Sequence, residues 1–259
     1  MSSSRHPHRL STALRGLLLA GVAAIALSAC ASNRASLGAT DVMTTGSVQS
    51  QHSLEALAAR YKKHPKDKAT MIYYAAALRS AGQSEQAVAV LEGGVRAHKR
   101  DMDIKVAYAK ALTSAGRFEQ GLNVIDDAIN PASPDWNALS VKGALLDQSG
   151  RNAEARQLYN QALSIAPGEA SLYANIGLSY AMTNDLSEAE TSLRRATKMR
   201  GANSQIRQNL ALVVGLQGRF DECRAMFAAE LPPEEVEANM SYIRALLTQQ
   251  NRWDKIKGE

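Results

Sequence analysis

"SAGQSEQA", Ser80 to Ala87, decides the fold because it returns. "SAGRFEQG" (114–121), "QSGRNAEA" (148–155), "MTNDLSEA" (182–189) and "LQGRFDEC" (216–223) follow it in phase. Their third residues are Gly82, Gly116, Gly150, Asn184 and Gly218, a constant 34 residues apart. That period belongs to a repeated helix–turn–helix unit. Glycine there ends the first helix in a left-handed conformation, and asparagine is its usual substitute. Asn184 therefore keeps the turn.

Other columns share the phase. Seven residues before the turn stand Ala75, Ala109, Gly143, Gly177 and Ala211, and five after it Ala87, Gly121, Ala155, Ala189 and Cys223. Small side chains at both places let two helices cross closely. Four residues further on, Leu91, Ile125, Tyr159, Leu193 and Phe227 fill the next layer. Then come Gly94, Ala128, Ala162, Ala196 and finally Glu230, which breaks the pattern and marks the end of the array.

The region from Lys68 to Leu231 resembles the tetratricopeptide repeat family. "YNQALSIAPG" (159–168) follows the family consensus most fully, down to the helix-closing Pro167. The expected fold is all-α, a solenoid of about five repeats over 68–231 with capping helices at both ends. "SLEALAARYKKHPKD" reads as an amphipathic helix closed by Pro65, within an N-terminal cap at 51–67. At 232–259, Pro232 and Pro233 open a C-terminal helix, with Glu234 and Glu235 at its positive end. Its Val236, Met240, Ile243 and Leu247 fall on one face that seals the last layer. The tail "NRWDKIKGE" has no clear fold.

Ahead of the array, residues 1–29 hold Arg5, Arg9 and Arg15 and no acid. "GLLLAGVAAIAL" (16–27) is an apolar run of 12 residues, about 18 Å as a helix and too short for the ~30 Å hydrocarbon layer. It reads as a secretory signal core. The next four residues, Leu27, Ser28, Ala29 and Cys30, resemble the bacterial lipobox. The resemblance implies thiol lipidation of Cys30, cleavage before it and acylation of the new amino terminus. Two or more acyl chains hold a protein stably in a membrane. Residues 30–50 then form a small, polar segment that reads as a flexible tether, about 25 Å r.m.s. and at most ~70 Å long. The leader also carries most of the basic excess. From residue 30 onward, 27 Lys and Arg face 25 Asp and Glu, so the pI of about 9.2 does not indicate a nucleic-acid partner.

No catalytic site is expected. The sequence holds no HExxH, phosphate loop or G-x-S-x-G. His52, His64 and His98 lack partners at ligand spacing, and Cys30 and Cys223 show no zinc-site spacing, so neither metal nor cofactor is expected beyond the lipid on Cys30. Cys223 reads as a small buried hydrophobe. Ser187 and Glu190 fit a capping box.

Function is expected on the surface. In the tetratricopeptide family the first helices line the concave face. The resemblance places Ile72, Arg79, Asp103, Lys110, Asn137, Asp147 and Gln148 there in repeats one to three. In repeats four and five it places Ala174, Leu178, Met182, Gln208, Leu212 and Leu216, a more apolar set. Asn175 and Asn209, one repeat apart, could fix an extended backbone, since an amide both donates and accepts. The candidate partner site is therefore Asn175, Leu178, Met182, Asn209, Leu212 and Leu216. Local backbone bonding by the two asparagines, and sealing of the stack by the leucines, are the alternatives.

A narrower resemblance adds "PGEASLYANIGLSYAMTNDLSEAETSLRRA", "RQNLALVVGLQGRFDE" and "LPPEEVEANMSYIR" to the lipobox and tether. It is to the TadD family, the tetratricopeptide lipoproteins of the tight-adherence (Flp pilus) system. It implies an outer-membrane, periplasm-facing scaffold for pilus assembly, attached by its lipid alone. Protein partners in that machinery follow, the outer-membrane secretin among them, and no nucleic acid. The competing reading is a general periplasmic adaptor that recruits other envelope proteins such as cell-wall hydrolases. An enzyme subunit is disfavoured by the absence of a site.

Overall fold

The structure is a computed structural model that describes the backbone of residues 46–257 and the side chains of residues 53–249. The expected leader, the lipid-bearing Cys30 and the tether up to residue 45 lie outside the described residues. Twelve helices, and no strand, occur among the described residues. An opening helix α1 (Gly46–Lys63) precedes five helix pairs. These are α2 (Lys68–Ser80) with α3 (Ser84–Ala97), and α4 (Met102–Ser114) with α5 (Phe118–Asp126). Next come α6 (Trp136–Gln148) with α7 (Asn152–Ile165), and α8 (Ala170–Met182) with α9 (Leu186–Ala196). The last pair is α10 (Ser204–Leu216) with α11 (Phe220–Ala228), and α12 (Pro233–Lys257) closes the array.

Each pair turns on a residue with positive φ: Gly82 at 74°, Gly116 at 73°, Gly150 at 76°, Asn184 at 62° and Gly218 at 82°. The amide of the next residue then reaches back to a carbonyl five residues earlier, as Gln83 does to Leu78 and Asp185 to Tyr180. These bonds satisfy carbonyls that the helix end would leave bare. The turn column thus has one geometric cause.

A further column opens the first helices. Asp67, Asp101, Asp135 and Asn203 each accept a hydrogen bond from the amide three residues on, at Thr70, Ile104, Ala138 and Ile206. Such a cap replaces an unmade helical bond, and an aspartate also places negative charge at the positive helix end. Glu169 stands in the same column but makes no side-chain cap.

The small columns mark close crossings. A Cβ added at Gly177 would come to 2.7 Å from Leu193 Cγ and 2.9 Å from the Ala189 carbonyl oxygen. One added at Gly143 would meet the Tyr159 ring at 2.5 Å. The large column, Leu91, Ile125, Tyr159, Leu193 and Phe227, is buried throughout. On the face of α12, Val236, Met240 and Ile243 join the core formed by Ala211, Cys223 and Phe227.

First helices of successive repeats pack directly on one another, α2 on α4, α4 on α6, α6 on α8 and α8 on α10. The second helices pack chiefly on their own partner and the helix that follows. An array held closer on one side curves toward it, so the first helices form the inner wall.

Three local expectations differ from the structure. Helix α1 begins at Gly46, inside the segment read as tether, and α12 runs to Lys257 through the segment read as tail. Ser187 does not cap α9. The helix starts two residues earlier than that cap requires, at Leu186, and Asp185 accepts from the Glu188 amide instead. Glu190 is drawn away to cations on its own outer helix and at the start of the next.

Candidate partner-binding face

In the first three repeats the inner wall is tied across by polar side chains. Lys68 Nζ donates to Asp101 at 2.8 Å and Asp103 at 3.1 Å. Arg79 Nε donates to Ser114 Oγ at 2.9 Å, and Lys110 Nζ to Asn137 Oδ1 at 2.9 Å. Each bond links one inner helix to the next.

Between repeats three and four lies a buried polar seam. Asp147, expected on the open face, is only 5% exposed. Its carboxylate accepts from Ser179 Oγ at 2.7 Å, Asn152 Nδ2 at 2.8 Å and the Tyr159 hydroxyl at 2.9 Å. Burial pushes the carboxyl up to about 6, against the opposing pull of those three donors and of the Arg156 charge. Arg156 Nη1 donates to the Ser179 carbonyl at 3.1 Å, and its guanidinium lies over the Tyr180 ring. Beside the seam, Asn175 Nδ2 donates to Ser140 Oγ at 3.0 Å.

The candidate residues divide by depth. Asn175, Leu178, Asn209 and Leu212 are buried, whereas Met182 and Leu216 are half-buried. Ala174 is enclosed as well. Leu212 and Leu216 pack into the core that α12 completes. Spacing put these residues on the inner side of their helices. It did not reveal how far neighbouring inner helices close over them. Met182 and Leu216 remain as the half-exposed apolar side chains of the set.

Asn209 has an unfilled valence. Its Oδ1 accepts from Gln205 Nε2 at 3.1 Å. Its Nδ2 is enclosed and has no partner, the one such side-chain atom among the described residues. An unmet buried donor costs about 1–3 kcal/mol. Gln205, half-buried one turn earlier, is its neighbour on the inner side.

Reactive chemistry is scarce. No cluster of three or more His, Cys, Asp and Glu side chains suited to a metal occurs among the described residues. Burial pushes the Cys223 thiol up to about 11, and its Sγ lies 3.6 Å from Met240 Sδ. At that value it is not a thiolate at neutral pH. Among the described residues, no helix is long and apolar enough to cross a membrane.

Comparison with known proteins bears on this geometry. A tetratricopeptide repeat model matches residues 109–170, and another matches residues 170–203. A thermophilic tetratricopeptide repeat protein of Thermus thermophilus superposes with a TM-score of 0.61 at 18% identity, over 69% of this chain and 99% of that one. A tetratricopeptide repeat protein of Parabacteroides merdae gives 0.52 at 17% identity, over 78% and 92%. The human IFIT1 dimer gives 0.59 at 17% identity, and the chain spans 50% of that protein's length while 76% of its own is covered. No curated protein sequence matches. Residues 109–203 are tetratricopeptide repeats, and the helical array is a tetratricopeptide repeat solenoid.

Proposed function

We propose that this solenoid is a lipid-anchored envelope scaffold for assembly of Flp (tight-adherence) pili. The tetratricopeptide fold itself suggests a protein–protein interaction scaffold, and such repeats are typically non-enzymatic. The observation that carries the binding reading is Asn209, whose buried amide Nδ2 lacks an acceptor on the inner wall. A backbone carbonyl of a bound partner segment is the acceptor it lacks, and Gln205 is the side chain that segment displaces. Met182 and Leu216, at the C-terminal ends of their inner helices, supply apolar contact further along the same wall. Lipidation at Cys30, an outer-membrane position facing the periplasm, and a partner in the pilus machinery, with the secretin foremost, complete the reading. These rest on the lipobox and on the likeness to the TadD family. No cofactor is required.

The test is purification of the lipidated protein from pilus-producing cells after cross-linking in the intact envelope. Recovery of the secretin, together with loss of pili on gene deletion, is the expected result. Recovery of cell-wall hydrolases with pili unaffected would favour the general adaptor.

A further inference from the structure

Charge along the array is segregated. Residues 46–100 hold nine Lys and Arg against four Asp and Glu, while residues 101–259 hold seventeen against twenty. The basic excess is concentrated at one edge. His98 Nε2 donates to the Lys66 carbonyl at 2.8 Å and fastens the turn before α2 to the turn before α4. Lys62 and Lys63 end α1, Lys66 lies in the first turn, and Lys99 and Arg100 lie in the second. All five are exposed. The acids nearby are engaged elsewhere. Asp67 caps α2 and faces Arg60 at 3.9 Å, and Asp101 and Asp103 share Lys68. Five cations thus stand at this edge with no carboxylate partner among the described residues.

Their place in the chain identifies the occupant. Cys30 precedes Gly46 by 16 residues, which reach at most about 55 Å, twice the about 27 Å length of α1. The patch can therefore touch the surface in which Cys30 is held. A lipid anchor and a basic patch are the usual pair of signals for surface-bound proteins. We infer that the Lys62–Lys63–Lys66–Lys99–Arg100 edge docks on anionic phospholipid headgroups. This lays the basic N-terminal end of the solenoid on the membrane and turns its C-terminal end outward. The inference rests on the lipid-anchor reading and adds a second contact to it.

The experiment uses the mature lipidated protein in vesicles of phosphatidylcholine, with or without phosphatidylglycerol. A water-soluble amine-acylating reagent, read by mass spectrometry, reports each lysine. In the phosphatidylglycerol vesicles at low salt, labelling of Lys62, Lys63, Lys66 and Lys99 falls several-fold. It recovers at high salt, because the attraction is screened. Lys198, in the distant fourth repeat, labels equally in both. The triple change Lys62→Glu, Lys63→Glu and Lys66→Glu abolishes the protection of Lys99 with an unchanged helical spectrum. Equal labelling of the patch in both vesicles would overturn the inference, as would a fall at Lys198 as large as at Lys66. The mass of the Cys30 peptide reports the anchor separately, so failure of the anchor and failure of the patch are told apart.

Discussion

The Tyr159 hydroxyl donates to Asp147 Oδ2 at 2.9 Å across a crossing where Gly143 leaves no room for a side chain. One tyrosine thus fills the hydrophobic layer of repeat three and supplies a donor to a carboxylate at the seam with repeat four. Asp147 cannot shed its charge to solvent. Its burial therefore links the stability of the middle of the array to pH.

The sign follows from the shift. Asp147 is raised from 3.8 to about 6 by burial, so the folded chain holds its proton more tightly than the unfolded one. This contribution is fully present below pH 3.8 and is lost as pH rises through about 6. Its upper size is about 3 kcal/mol. Glu190 behaves oppositely. Burial pushes it up, but hydrogen bonds from Arg219, Gln217 and Arg194 outweigh that and bring it to about 2, so its contribution is lost only below pH 4.5. Denaturant melts at pH 5 and pH 7 isolate Asp147. The wild type is more stable at pH 5, and Asp147→Asn narrows the gap. An undiminished gap in the variant would remove Asp147 as its source.

Gly177→Ala tests the crossing of repeat four. Its new Cβ would lie 2.9 Å from a backbone oxygen, which cannot swing aside. Overpacking of this kind costs about 1–3 kcal/mol, and Ala189→Leu on the facing helix should cost at least as much. Gly168→Ala meets nothing within 4 Å and should stay within about 0.5 kcal/mol of wild type. Thermal melting compares the three, and equal midpoints for the two glycine variants would contradict the packing described.

The period, the turns and the crossings were legible because each needs one residue type at one place. Gly82 and its successors answer to positive φ, and Ala189 to the closeness of Gly177. The capping column Asp67, Asp101, Asp135 and Asn203 was equally legible at the same 34-residue spacing. The Asp147 seam could not be read. Nothing in the spacing says that Ser179, Asn152 and Tyr159 converge from two other helices. The candidate site was half legible for the same reason. Helical spacing gives the face of Leu178 and Leu212, whereas their burial depends on the distance between inner helices.

Asn209→Leu separates binding from stability. It removes the orphaned donor, worth about 1–3 kcal/mol, and loses one half-exposed bond to Gln205, worth about 1 kcal/mol. The isolated protein should melt at or slightly above the wild-type temperature while capture of the secretin falls. A destabilised protein with undiminished capture would show that Asn209 serves the fold alone.

Cys30→Ser tests attachment. The variant should take up no labelled palmitate and should leave the membrane fraction at high salt, where the basic edge is screened. Retention in the membrane without label at high salt would refute the anchor.

The proposed partner site is the inner wall at repeats four and five. A photo-activated cross-linking residue at Met182 or Leu216, both half-buried there, should join the protein to the secretin in pilus-producing cells. The same residue at Ile165, 45% exposed on the second helix of repeat three, should not. Cross-links from Ile165 with none from Met182 or Leu216 would contradict the account.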